Sequence, residues 1–168
     1  FPVVLALGLK LGARELVNPI LGGFGIWLMY LLIKKVLDDK TALLASLLTV
    51  TSPFFLMNSS NLLSHAWSLV LSAGLALAWL DTFSPHPRHP RVAAAAAALC
   101  LGGLALTRPL TALGVGFPFG LHCLFLLVKG ERSERARGIG IGLATALIAA
   151  IHFLWQYALT GNALLNPY

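Results

Sequence analysis

Long apolar runs separated by short clusters of charge dominate this sequence. No charged residue interrupts Pro19 to Ile33, and Lys34 and Lys35 close the run. Thr41–Met57, Ser64–Leu80, Val92–Leu106, Leu110–Val128 and Gly138–Leu159 follow in the same manner. With flanking residues each approaches the roughly 20 residues that a helix needs to cross a bilayer. The pattern predicts an all-α, polytopic transmembrane helical bundle, one transmembrane domain over 1–168, with about six segments at 19–34, 41–57, 64–80, 92–107, 110–128 and 138–159. Before them, Phe1–Leu9 is apolar but too short to span, and Lys10, Arg14 and Glu15 interrupt it, so 1–17 reads as an interfacial helix and loop. Asn18-Pro19 marks the start of the next helix, and 160–168 begins an external loop.

Two runs have local features of their own. Val92–Leu106 is rich in alanine and glycine, which suits close helix packing inside a bundle. Leu110–Val128 contains Gly114, Gly116 and Pro118, which are expected to bend it.

Composition agrees with the pattern. With 58% hydrophobic and 11% charged residues and a mean hydropathy of +0.83, the chain lies outside the range of soluble domains. The formal charge of +6 does not indicate nucleic acid, because the basic residues are scattered between apolar runs instead of forming a patch with interleaved aromatics. Cys100 and Cys123 fall inside apolar runs without metal-ligand spacing. The chain has no cleavable signal pattern; starting at Phe1 and stopping just after a span, it reads as a piece of a longer protein.

Charge then sets the expected orientation, because short loops alternate sides and Lys and Arg accumulate in the cytoplasm. Lys34, Lys35, Lys40, Arg88, Arg91, Lys129, Arg132, Arg135 and Arg137 fall on one side; Lys10, Arg14 and Arg108 fall on the other. In a plasma or bacterial inner membrane, the loops Asn58–His65, Thr107–Thr111 and Thr160–Tyr168 would share the non-cytoplasmic face. Arg108 stands out, alone between two apolar runs. A cation costs about 2.5–3.5 kcal/mol at mid-bilayer and usually faces a cavity or an anion. Pro109 biases Thr107-Arg108 away from helix, placing the arginine at a break between spans.

The order of these features resembles the polytopic lipid-linked sugar transferases of the GT-C class, which include protein O-mannosyltransferases and aminoarabinose transferases (family 39-like). The resemblance rests on FPVVLALGLKLG, LLIKKVLDD, TALLASLLTVTSPFFLMNSSNLLSHAWSL, the Gly/Ala-rich span running into LALTRPLTAL, and WQYALTGNALLNPY. It implies a polyprenyl-phosphate sugar donor, reaction on the external face, and a basic residue at the lipid phosphate, matched here by Arg108. It also implies an external acidic residue that acts as base or helps hold a metal. Asp38, Asp39, Asp81, Glu131 and Glu134 are expected in the cytoplasm, and Glu15 does not match the position, so the base is expected upstream of Phe1 and this chain alone is expected to be inactive. No cofactor is identified, and a divalent metal stays open without support from these residues. The acceptor is unspecified.

Each candidate has a plainer reading beside the functional one. Arg108 also fits a helix-end cation snorkelling to lipid head groups. Asn61, Ser64 and His65 could contact donor sugar or phosphate, and His65 could act as an acid or base; Ser64 and His65 equally suit capping and interfacial roles. His122 and His152 lie within spans, where a hydrogen bond to another helix is the default. Asn162, Asn166 and Tyr168 could touch a sugar or be ordinary loop residues. Trp27, Tyr30, Trp67, Trp79, Trp155 and Tyr157 read mostly as interfacial anchors, and Gly138, Gly140 and Gly142 as packing glycines rather than a phosphate loop. The alternatives to a glycosyltransferase are a transporter or lipid flippase, which would also use a cavity-facing cation and proline-broken helices, and a non-catalytic membrane scaffold.

Overall fold

The computed structural model describes residues 2–165, so Asn166 and Tyr168 lie outside the described residues. It is 84% helix, with no strand among the described residues. The helices are α1 (Pro2–Lys10), α2 (Val17–Val36), α3 (Asp39–Val50), α4 (Pro53–Ser60), α5 (His65–Thr82), α6 (Pro90–Thr107), α7 (Pro109–Lys129) and α8 (Arg132–Thr160), with a 3-10 turn at Arg14–Leu16. Two compact units divide within α5, as Phe1–Leu77 and Ala78–Tyr168.

Four helical stretches are long and apolar enough to cross a membrane: Arg14–Val36, Pro90–Thr107, Pro109–Lys129 and Arg132–Thr160. Their surfaces agree with a lipid environment. Leu110, Val128 and Leu147 are all more than 70% exposed, a display of large apolar side chains that water would penalise. Of the six expected segments, these four correspond to 19–34, 92–107, 110–128 and 138–159.

The other two differ from expectation. The run 41–57 is not one straight helix: α3 and α4 meet at a 65° bend. Pro53 is the cause. It excludes helical geometry from Ser52, which is extended at φ −69°, ψ 121°, and Pro53 itself starts α4 because a first-turn residue needs no N–H partner. The pair counts as a span only if both arms are taken together. The segment 64–80 corresponds to α5, which opens on His65 and closes with Asp81 and Thr82. Between them Ala66–Leu80 supplies only 15 uncharged residues, about 22 Å of helix, and α5 is not among the four.

In the first unit α2 packs against α3 and α4. Asp38 caps α3, its carboxylate accepting from the Thr41 N–H at 2.9 Å and the Thr41 hydroxyl at 2.6 Å. The Thr41 hydroxyl, followed by the Thr41 N–H, holds the Asp38 carboxyl below its ordinary range. Lys34 pairs with Asp39 at 3.2 Å, and the Tyr30 hydroxyl donates to the same carboxylate, which closes the α2–α3 hairpin. The helix expected from Pro19 starts two residues earlier, at Val17.

In the second unit α6 packs on α8 and α7. A Cβ at Gly102 would lie 2.7 Å from Ile148, and one at Gly138 would lie 2.9 Å from the Cys123 sulfur. Both are close helix crossings of the kind small residues permit; at Gly102 the near atom is the Ile148 Cβ, whereas at Gly138 the Cys123 thiol could turn aside. The packing reading thus holds for Gly138, whereas Gly140 and Gly142 have nothing within 4 Å of a added Cβ. Helix α7 continues through Pro118. Glu131 and Glu134 form a capping box at the start of α8, and Gly161, at φ 72°, ends that helix in the left-handed conformation.

Replacing Gly102 with valine should destabilise the protein by about 1–3 kcal/mol through overpacking, while Gly142→Ala should cause no loss; thermal unfolding in detergent distinguishes them. Whether α5 crosses is tested by single cysteines at Ser64 and Ser84 in a Cys100→Ala/Cys123→Ala background. A membrane-impermeant maleimide should reach them from opposite sides if α5 spans, and from the same side if it does not.

Candidate functional site

The residue singled out in the sequence stands where the chain must break. Arg108 ends α6 and precedes α7, with φ −147° and ψ 83°. Its N–H donates to Leu104 O at 2.7 Å and its carbonyl accepts from Ala112 N at 2.9 Å, so one residue closes one helix and opens the next. Pro109 supplies the constraint, occupying the first helical position of α7 and excluding helix from the residue before it. Arg108 therefore stands at the amino-terminal, electropositive end of a 21-residue helix. The sequence has no Asp or Glu from Thr82 to Gly130 or from Arg135 to Tyr168, so the charges carried by α6 and α7 are all basic.

Asn61, Ser64 and His65 belong to the first unit and come together around the α4–α5 turn. Asn61 follows α4 with extended geometry, and its amide donates back to Met57 O at 2.8 Å. Ser64 immediately precedes α5, and its carbonyl accepts from both the N–H and the hydroxyl of Ser68, at 2.9 and 2.8 Å. His65 is the first residue of α5 and is exposed. This turn and Arg108 lie in different units.

Asn18 was missed as a site residue. Read from sequence as a helix start, it is completely buried, and its side-chain amide donates to Asn61 O and to Leu63 O, the latter at 2.8 Å. Its Oδ1 is buried with no hydrogen-bond partner among the described residues. One side chain thus ties the start of α2 to the turn that carries Asn61, Ser64 and His65. The available signal was a polar residue at the mouth of an apolar run, which is expensive unless it is bonded.

A second cluster lies in the other unit. Trp79, read as an interfacial anchor, is instead 6% exposed. Its indole N–H donates to His122 Nδ1 at 3.0 Å, and its ring contacts Phe83 and Phe119. Here the expected interhelical bond of His122 is present. His152 differs, bonding Gln156 of its own helix at 3.1 Å. A cavity of about 430 Å³ is lined by Trp79, Leu80, Phe83, Pro118, Phe119 and His122. His122 lies 14 residues along α7 from Arg108, about 20 Å at the helical rise, so this cavity is distinct from the Arg108 break. Nearby, Arg137 donates to Thr82 O at 2.7 Å and lies over the Phe83 ring.

Among the described residues no group of three His, Cys, Asp or Glu is placed to hold a metal ion. Asp38 and the Glu131–Glu134 pair are engaged at helix starts, and Asp39 in the α2–α3 hairpin. No family model, curated protein or solved structure matches this chain.

Replacing Asn18 with alanine should leave two turn carbonyls without their donor, at a cost of about 1–3 kcal/mol. Hydrogen exchange should accelerate at residues 61–68 and stay unchanged in α7.

Proposed function

We propose that the intact protein is an integral-membrane glycosyltransferase that moves a sugar from a polyprenyl-phosphate donor to an acceptor on the non-cytoplasmic face. The observation that carries this reading is Arg108 at the break between two helices that are each long and apolar enough to cross a membrane. An arginine fork binds phosphate oxygens bidentately, and the amino-terminal end of α7 adds its partial positive charge at the same place. Both favour an anion that arrives on a lipid tail.

In the transfer, an acceptor oxygen attacks the anomeric carbon and loses its proton to a base. The bond from that carbon to the phosphate oxygen breaks, and the polyprenyl phosphate leaves with the electron pair. Arg108 stabilises the charge that grows on the departing phosphate, which lowers the barrier. The base is assigned to sequence upstream of Phe1. Within the first unit, the turn of Asn61, Ser64 and His65, held by Asn18, carries side chains of the kind that bond sugar hydroxyls.

The α3–α4 bend supports a second reading, since transporters build their sites from discontinuous helices. In that case labelled substrate would enter vesicles with no covalent product.

In the full-length protein, Arg108→Ala should lower kcat/KM for a polyprenyl-phosphate sugar by about tenfold or more, the value of a charged hydrogen bond, and Arg108→Lys should recover part of the loss. Unchanged activity and donor affinity in a well-expressed Arg108→Ala protein would falsify the assignment.

A further inference from the structure

The second unit brings another pair of side chains to the level of Arg108. Gly116 lies against Leu101 and Gly138 against Cys123. Helix α7 therefore runs back along α6, α8 runs back along α7, and α6 and α8 point the same way. Ile148 sits against Gly102. Six residues beyond Gly102, Arg108 is thus level with α8 near Leu154, between His152 and Gln156.

The face is fixed by the same contact. Ile148, His152 and Gln156 are spaced four apart and share one side of α8, so the two polar residues lie on the stripe that meets α6. Burial agrees: Gln156 is buried, whereas Leu154, Trp155 and Tyr157 around it are more than half exposed. In a membrane helix that is the arrangement of a polar interior site with apolar residues turned to lipid. The pair also has a defined polarity. The Gln156 side-chain nitrogen can only donate, so in their contact His152 Nε2 accepts, and the proton of the neutral ring sits on Nδ1. That N–H has no hydrogen-bond partner among the described residues.

We infer that His152, oriented by Gln156, is a second donor to the phosphate bound by Arg108, and that the site takes the phosphoryl group of a lipid phosphate. The inference rests on the glycosyltransferase reading of the Arg108 end. Arg108 supplies charge, His152 supplies one directed N–H, and Gln156 is a positioning residue acting through His152.

The test uses the full-length protein in lipid nanodiscs, with farnesyl phosphate as probe and farnesol, which has the same tail without phosphate, as its control. Arg108→Ala should weaken farnesyl phosphate binding by about tenfold or more. His152→Ala should weaken it by about three- to tenfold, with farnesol unaffected, and His152→Asn, which keeps an N–H near the Nδ1 position, should restore most of the affinity. Gln156→Leu should match His152→Ala, with no further loss when the two are combined. The Arg108→Ala/His152→Ala double variant should lose less than the product of the single effects, because both donors meet one oxyanion. If His152→Ala leaves farnesyl phosphate binding intact, or weakens farnesol equally, His152 does not contact the phosphate and the inference falls while the Arg108 assignment stands. If Arg108→Ala leaves farnesyl phosphate binding intact, the Arg108 assignment falls and the inference with it.

Discussion

A proline has no N–H to give and holds the residue before it out of the helical region, and in an apolar setting the backbone groups this frees need partners close by. Pro109 imposes that constraint on the second unit. It ends α6 at Thr107, starts α7 at once, and leaves Arg108 as the only residue between them. The leftover groups are used economically: the Arg108 N–H closes α6 and its carbonyl opens α7. A tight reversal follows, and α7 lies back on α6 with Gly116 against Leu101. The charged side chain stands at the reversal because the backbone has nowhere else to turn.

The first unit meets the same constraint with a different outcome. Pro53 also breaks an apolar run, but Thr51 and Ser52 separate the two helices and they meet at 65°. No charged residue lies there. The polar groups of that unit collect one helix later, where Asn61 closes α4, Ser64 opens α5, and Asn18 reaches the turn between them from α2. Two devices therefore present polar side chains at helix breaks, one built on a proline and one on a buried amide.

What could be read in advance was whatever depends on neighbours in sequence. The helical class, the apolar lengths of α2, α6, α7 and α8, and the break at Arg108 all follow from local composition or from a proline's effect on one residue. The α3–α4 bend was equally local, through Ser52-Pro53, but uninterrupted hydrophobicity around it outweighed the proline. What could not be read depends on contacts across 40 or more residues. Asn18 looks like a cap until the turn 43 residues later is placed beside it. Trp79 looks like an interfacial anchor until His122 is placed beside its indole. His152 and Gln156 become noteworthy only once Gly102 and Ile148 set the register of α8 against α6. The roles of Asn61, Ser64 and His65 as sugar contacts remain proposals from the resemblance, whereas their places at the ends of α4 and α5 are structural.

The bond from Arg137 to Thr82 has a meaning in time as well as in space. Thr82 is completely buried and is the last residue of α5, and its carbonyl is met by a guanidinium 55 residues further along the chain. At a synthesis rate of about 5–20 residues per second, several seconds separate the appearance of acceptor and donor. During that interval the end of α5 must borrow water or lipid head groups, and it reaches its final partner only when the first turns of α8 have been made. The last turn of α5 thus gains this bond only after the α6–α7 hairpin has been synthesised.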